Sequence, residues 1–245
     1  MPLDRYAPAP DEMGVIKAAE DVLTGKCMRR RGLEWKLAPR ASAKDTEPRN
    51  RRRYGVVEPV IAKIYGYHLP ADRPTVAKRS AAMRARDKGL STAEKKAAYG
   101  SGRKLGGCAK RARKELAQGL PDADFGLLNN TIGATYEQSM KDRAVVRVFR
   151  AWSACMKEQG YHYTNPMKAI TDKRWLKGDR VSRIEIQQAR VDVRCKKQTD
   201  LVSVWNAAED RIQERAIKAE PGAFKELKQV QRQRMGAAHR VLEES

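Results

Sequence analysis

Four cysteines are the residues of this chain whose type and spacing point most directly to chemistry. Cys27, Cys108, Cys155 and Cys195 are separated by 81, 47 and 40 residues. The spacing contains no Cys-x-x-Cys pair and places no histidine at ligand distance, which disfavours a zinc site. Four buried free thiols are the alternative, because cysteine packs as a small apolar residue. An even number of cysteines on four predicted helices favours two disulfide bonds in an oxidising compartment.

The chain repeats itself around two of these cysteines. Segments 27–33 and 155–161 each hold Cys-Met, three polar residues, a glycine and an apolar residue. A glycine in the left-handed conformation closes a helix, and the following apolar side chain packs back on the last turn. The repeat therefore predicts two helix ends of the same design. If the chain consists of two related halves, Cys27 pairs with Cys108 and Cys155 with Cys195, but the sequence leaves the other two pairings open.

Other residue patterns give little support for catalysis. The histidines are His68, His162 and His239, and the nearest approach to a nucleophilic pair is Cys155 with His162, seven residues apart among apolar neighbours that indicate burial. Segment 99–107 is rich in glycine, yet it lacks the preceding strand and the Gly-Lys-Ser/Thr ending of a phosphate loop. We therefore predict a connector there, no metal, no cofactor and no catalytic residue, which favours a protein that is not an enzyme.

The elements that would carry these residues are helices. Apolar residues recur at three- and four-residue spacing, which predicts helices over about 11–31, 57–65, 104–118, 124–159, 182–218 and 223–243. Asp11 is the predicted N-cap of the first helix and Gly32 its end, while Ser91 and Ser182 each begin a capping box. Arg and Lys interrupt the longest apolar stretches, so no membrane span is predicted. We expect an all-α helical bundle with two pseudo-repeated halves cross-linked by disulfides.

Basic residues are distributed unequally between the two predicted halves. Lys and Arg number 51 against 30 Asp and Glu, a net charge of +21. Residues 1–119 hold 28 basic and 13 acidic side chains (+15), and the remainder holds 23 and 17 (+6). The predicted organisation is an N-terminal extension (1–10), a basic helical half (11–119), a helical hairpin half (120–220) and a C-terminal helix (221–245).

The basic excess predicts an anionic partner, with a merely solvated basic surface as the alternative. Two tryptophans, Trp35 and Trp175, occupy predicted loops among basic residues and could stack on a sugar or a base. Covering the core is the other role open to them. The predicted anion contacts are Arg51, Arg52, Arg53, Lys110, Arg111, Arg113, Lys114, Lys173 and Arg174.

Several short motifs together carry a resemblance to a known family. They are segments 19–23 (AEDVL), 53–56 (RYGV), 65–67 (YGY) and 152–156 (WSACM), together with Gly107-Cys108 and Gly160-Tyr161. From about residue 11 to 215 the chain resembles a family of uncharacterised actinobacterial exported proteins and lipoproteins. That resemblance implies export and disulfide bonds and assigns no activity. The first residues lack a basic stretch followed by an apolar one, so export would use a segment absent here.

These observations predict a non-enzymatic, disulfide-stabilised protein, secreted or in the cell envelope, that binds an anionic polymer or protein surface. The alternative is a cytoplasmic, basic nucleic-acid-binding protein with reduced cysteines. No helix-turn-helix or RNP-like stretch supports that alternative.

Overall fold

The computed structural model of the protein describes residues 1–102, 106–120, 125–175, 178 and 180–245. These residues form α-helices, two 3-10 helices (Pro2–Tyr6 and Ala43–Asp45) and no strand, so the predicted all-α fold is confirmed. The α-helices are α1 (Pro10–Arg29), α2 (Pro59–Tyr65), α3 (Pro74–Gly89), α4 (Thr92–Tyr99), α5 (Gly107–Leu116), α6 (Phe125–Ser139), α7 (Arg143–Glu158), α8 (Pro166–Ile170), α9 (Arg183–Gln198), α10 (Leu201–Ala219) and α11 (Pro221–Glu243). No helix in the described part of the chain is long and apolar enough to cross a membrane.

Two compact units interleave along the sequence. Unit 1 comprises Met1–Leu3, Pro48–Ala71 and Gly126–Pro221, and unit 2 comprises Asp4–Glu47, Asp72–Phe125 and Gly222–Ser245. The predicted boundaries near 119 and 220 differ from this division, because a loop and short helix from the N-terminal half join unit 1 and the C-terminal helix joins unit 2. Unit 1 holds 23 basic and 13 acidic residues (+10), and unit 2 holds 28 and 17 (+11). The charge difference between sequence halves therefore disappears between the folded units.

Unit 1 is built around two fully buried tryptophans. Trp205 of α10 contacts three aromatic rings, those of Tyr54, Tyr136 and Phe149, with centroid distances between 4.8 and 5.5 Å. Trp152 of α7 is also fully buried and belongs to the same core. Helices α7, α9 and α10 pack against one another around these rings, and α2 packs on α9. Burial of aromatic surface is the main stabilising contribution to this unit.

Unit 2 is held by the packing of α1 against α5, with α4 on α5. Ile16, Ala19 and Leu23 of α1 meet Ala112 and Leu116 of α5 in a buried apolar cluster. Helices α1 and α5 run antiparallel. Cys27 near the end of α1 bonds to Cys108 at the start of α5, while Glu20, earlier in α1, lies 3.6 Å from Arg113, later in α5. The predicted apolar stripe of the first helix is thus the stripe that packs.

Both long predicted helices are interrupted, each at an aspartate. The prediction of one helix over 124–159 is wrong, because the Asp142 carboxylate accepts a hydrogen bond of 2.8 Å from the Ala144 N–H and starts α7 anew. The helix predicted over 182–218 also divides, since Asp200 adopts a left-handed φ of 53° between α9 and α10. Residue 124 itself lies outside the described residues. At the N-terminus, Ala9 rather than Asp11 is the cap of α1, and Pro10 occupies the first helical position.

The two predicted capping boxes differ in outcome. Ser91 and Glu94 exchange both hydrogen bonds, so the box of α4 is complete. Ser182 accepts from the Glu185 N–H at 3.1 Å, but the Glu185 carboxylate binds the Tyr67 N–H at 2.7 Å instead of returning to its own helix end. A tertiary partner has replaced the local one.

The repeated helix ends have the same hydrogen bonds. Leu33 N–H donates to the Met28 carbonyl at 3.1 Å, and Tyr161 N–H donates to the Met156 carbonyl at 3.0 Å. The intervening glycines have φ values of 71° and 83°, which only glycine adopts without strain. Both ends are Schellman caps, as the sequence repeat predicts.

Candidate anion-binding surface

The cysteines form two disulfide bonds, one in each unit. Cys27 of α1 joins Cys108 of α5 with a Cα separation of 5.6 Å, and Cys155 of α7 joins Cys195 of α9 with 5.8 Å. The prediction of disulfides is confirmed, and the pairing is the one that two related halves would give. Cys108 is the second residue of α5. It follows Gly107, where an added Cβ would lie 2.3 Å from the Ala97 carbonyl oxygen.

The histidines take no part in a recognisable catalytic group. Since Cys155 is oxidised, the Cys155–His162 pair holds no thiolate. His162 and His239 are exposed, whereas His68 Nδ1 lies 2.7 Å from Glu185 Oε1 and its Nε2 lies 3.1 Å from the Gly178 carbonyl. Three or more metal-type ligands do not come together anywhere in the described ranges. Residues 103–105 of the glycine-rich segment lie outside them.

The three consecutive arginines bind partners inside unit 1. Arg51 Nε donates to the Glu58 carboxylate at 2.7 Å, and Arg52 donates to the backbone carbonyls of residues 67 and 68. Arg53 forms an ion pair with fully buried Glu209. These guanidiniums fix the loop before α2 to its unit, because each satisfies an acceptor there, and their predicted role in anion binding stays a prediction.

Both candidate stacking tryptophans are buried, 7% exposed for Trp35 and 6% for Trp175. Trp35 Nε1 donates to Asp21 at 3.1 Å, and the Arg86 guanidinium covers its ring at 3.9 Å. Trp175 donates to a backbone carbonyl and lies under Arg174 at 4.5 Å. Arginines of the same unit cover both rings, and the ligand-stacking role of these tryptophans stays a prediction.

Two more of the predicted anion-contact residues directly precede Trp175 in the chain. Lys173 is exposed, and Arg174 is half exposed but hydrogen-bonds the Asp172 carboxylate and the Tyr163 hydroxyl. The Arg174 side chain raises the stability of the charged carboxylate, which lowers the pKa of Asp172 to about 2. Arg174 is thus mostly occupied by partners within unit 1.

The predicted cations of α5 do form an exposed surface. Lys110 and Lys114 stand one turn apart, opposite the buried stripe of Cys108, Ala112 and Leu116. Their neighbours Arg111 and Arg113 are exposed as well, and Arg113 lies 3.6 Å from Glu20. Within the described ranges, Lys110, Arg111 and Lys114 make no ion pair.

The charge of unit 2 is concentrated in this region. Residues 73–118 carry 14 basic and 3 acidic side chains, a net charge of +11, while the rest of the unit carries 14 of each. Three further exposed cations, Arg29, Arg30 and Arg31, lie at the end of α1, two to four residues after Cys27, whose disulfide joins this end to α5. We call Arg29–Arg31 with Lys110, Arg111 and Lys114 the α5 surface.

The arginines at the end of α1 are not required by its cap. The matching positions after Cys155 are Lys157, Glu158 and Gln159, which have no net charge, yet the same Schellman hydrogen bonds form. Basic residues at a helix C-terminus do gain from the helix dipole. That gain explains one or two cations, whereas this end carries three with no carboxylate paired to them among the described residues.

Sequence reasoning missed a further set of exposed cations on α7 and α9 of unit 1. Arg143, Arg147 and Arg150 recur at i, i+4 and i+7 on the face of α7 opposite its buried stripe. The signal was present in the sequence, as the polar complement of the apolar periodicity used to predict the helix.

Searches of protein-family models, of curated proteins and of solved structures find no match to this chain.

Proposed function

We propose that the protein is an exported, disulfide-stabilised binding protein without catalytic activity, and that the α5 surface binds an anionic polymer. The observation that carries the proposal is that α5 and the end of α1, joined by the Cys27–Cys108 bond, carry six exposed cations that make no ion pair among the described residues. A polymer of closely spaced negative charges releases its counterions when it meets such a cluster, which favours binding at low and moderate salt.

Disulfides support the proposed location. Disulfide bonds persist in oxidising compartments and are rare in a reducing cytosol. The resemblance to exported actinobacterial proteins points the same way and stays a prediction. A cytoplasmic nucleic-acid-binding role with reduced cysteines is the weaker candidate, because it requires four thiols where two disulfides are formed.

The buried tryptophans favour recognition of charge over recognition of bases. Single-stranded nucleic acids are held largely by stacking of bases on exposed aromatic rings. All four tryptophans of the protein are buried, with exposures between 0% and 7%. The α5 surface is thus suited to a polyanion backbone, and inorganic polyphosphate is the simplest probe of it.

Titration of polyphosphate into the protein at about 50 mM salt tests the proposal. The variant K110Q/R111Q/K114Q is expected to bind about tenfold more weakly. The slope of log affinity against log salt concentration should also be less steep, by about 2. A second variant, R29K/R30E/R31Q, gives the end of α1 the residues that close α7. The cap is kept, and the net charge of this end falls from +3 to 0.

The matched control is K225Q/K228Q/R232Q on α11. It removes three exposed charges from the same unit, and it should change the affinity less than twofold. Equal losses in all three variants would mean that net charge and not the α5 surface governs binding, and wild-type affinity in both surface variants would refute the proposal.

A further inference from the structure

Unit 1 carries cations in a regular arrangement that the proposed function does not use. Helices α7 and α9 are both 16 residues long, and each begins 12 residues before its cysteine. The two sequences therefore lie in the same register, offset by the 40 residues that separate Cys155 from Cys195. Identical or equivalent cations occupy three matching pairs of positions, which are Arg143 and Arg183, Arg150 and Arg190, and Lys157 and Lys197.

In each helix these cations form one line along the exposed face. The line comprises positions i, i+4, i+7, i+11 and i+14, which lie above one another on a helix. The residues at these positions are Arg143, Arg147, Arg150, Ala154 and Lys157 in α7, and Arg183, Gln187, Arg190, Arg194 and Lys197 in α9. All ten are exposed, and each line extends about 21 Å along its helix.

The carboxylates of α7 and α9 do not neutralise the positive charge of these lines. The carboxylates of α9, Glu185 and Asp192, are 1% and 0% exposed and bind partners inside the unit. On α7 the one carboxylate is Glu158 at its end. Among the residues that the structure describes, the eight cations of the two lines make no ion pair.

The two lines are linked at their C-terminal ends. The Cys155–Cys195 bond joins the helices there, and the Arg194 guanidinium donates to Gln159 Oε1 at 2.9 Å across the same junction. Six of the eight cations are arginines, whose planar guanidinium forms paired hydrogen bonds with phosphate oxygens. The chemistry of this surface thus suits a phosphate-backbone polymer better than isolated small anions.

We propose that the α7 and α9 lines form a second polyanion-binding surface, so that one protein molecule holds two segments of a phosphate polymer, one on each unit. The proposal rests on the proposed function in that it takes the same class of ligand. Two sites on one chain raise the affinity for a long polymer through effective concentration, because the second contact becomes intramolecular.

Another helix of unit 1 supplies a matched control. Arg211, Arg215 and Lys218 stand at i, i+4 and i+7 on the exposed face of α10, the same spacing as the arginines of α7. Their surroundings differ, since Arg211 pairs with Asp142 at 3.5 Å and Glu214 lies beside the line. The α10 variant therefore tests whether the loss of three exposed charges elsewhere on unit 1 is enough to lower the number of bound chains.

The test counts binding sites by calorimetric titration with a polyphosphate chain of about 21 Å, the length of one line. Because the α7 and α9 lines are joined at the Cys155–Cys195 bond and form one surface, unit 1 counts as one site. Wild-type protein should bind two chains, and R143Q/R147Q/R150Q combined with R190Q/R194Q should bind one. R211Q/R215Q/K218Q should still bind two. All the substituted side chains are exposed, so thermal unfolding should show folded variants with melting temperatures close to that of the wild type.

The outcomes distinguish the two proposals. A single wild-type site that is lost in K110Q/R111Q/K114Q would overturn the second surface and leave the proposed function intact. A single site lost in the α7–α9 variant would overturn the α5 surface and support the surface on unit 1, although the protein would then hold only one segment. Absence of binding to the wild-type protein would overturn both.

Discussion

The indole Nε1 of Trp152 donates a hydrogen bond of 3.0 Å to Oδ1 of Asp192 at the centre of unit 1. The other carboxylate oxygen binds the Lys196 ammonium at 2.9 Å, and the same ammonium donates to the Val56 carbonyl at 2.8 Å. Burial raises the pKa of Asp192 and lowers the pKa of Lys196, while their mutual attraction opposes both shifts. The pair holds three segments of the unit together because each polar atom has a partner.

Removal of one member of this pair should be costly. We expect Lys196→Met to lower the free energy of unfolding by about 3 to 5 kcal/mol, since it leaves the Asp192 carboxylate buried without its countercharge. Adding Asp192→Asn should restore part of that loss. The matched control is Lys197→Met at the adjacent exposed position, which should change stability by less than about 0.5 kcal/mol. Urea unfolding measures all three, and equal effects at 196 and 197 would contradict the ion pair.

The repeated helix ends give a second prediction. Gly32→Ala and Gly160→Ala should each destabilise their unit by about 1 to 2 kcal/mol, because alanine is strained at the positive φ of both positions. Lack of space is not the cause, since a Cβ at either position meets nothing within 4 Å. Gly14→Ala in α1 has equally open surroundings but helical backbone and should stabilise by about 0.5 to 1 kcal/mol. Uniform effects at the three sites would argue against the cap.

A third prediction concerns acid stability. Hydrogen bonds from the Arg174 side chain and the Tyr163 hydroxyl lower the pKa of Asp172 to about 2, from the usual 3.8 of an aspartate. A depressed folded-state pKa contributes stability that is present above about pH 4 and is lost as the pH falls through 2. Because Arg174 is half exposed, solvent screening limits this contribution to about 1 kcal/mol.

Denaturant unfolding between pH 2 and 5 checks the acid limb. Asp172→Asn should be less stable than the wild type at pH 5 and should lose less stability on acidification. Arg174→Gln should behave in the same direction, since it removes the largest cause of the pKa shift. An unchanged acid limb in both variants would show that other carboxylates govern it.

The two disulfides should contribute unequally. In the chain-entropy description, closing segments of 81 and 40 residues stabilises the folded state by about 4.5 and about 4 kcal/mol. Cys155 is partly exposed while Cys27, Cys108 and Cys195 are buried, so a thiol reductant should open the Cys155–Cys195 bond first in the folded protein. Peptide mapping after timed reduction and alkylation measures the order. Earlier labelling of Cys27 and Cys108 would contradict it.

Much of the local structure could be predicted from the sequence, because periodicity and capping act over a few residues. The apolar stripe of α1, the Ser91 cap of α4 and the glycine ends at Gly32 and Gly160 were all determined by neighbours in the chain. The even number of cysteines indicated disulfides on the same basis. The cations of α5 were placed on an exposed face because they alternate with its buried residues.

Tertiary structure alone decided which segments share a unit and which charges remain accessible. The run of arginines at 51–53 predicts an anion site, but in the folded unit these side chains bind protein acceptors. The acceptor of Arg53 is Glu209, 156 residues away in the chain. Trp35 and Trp175 became buried because arginines and apolar neighbours cover them. The sequence does not show which acceptor a basic side chain will bind, because such ion pairs and hydrogen bonds form between residues far apart in the chain. The sequence by itself therefore determined the helical class, the glycine ends and the total charge, and the packing of the helices determined where that charge is exposed.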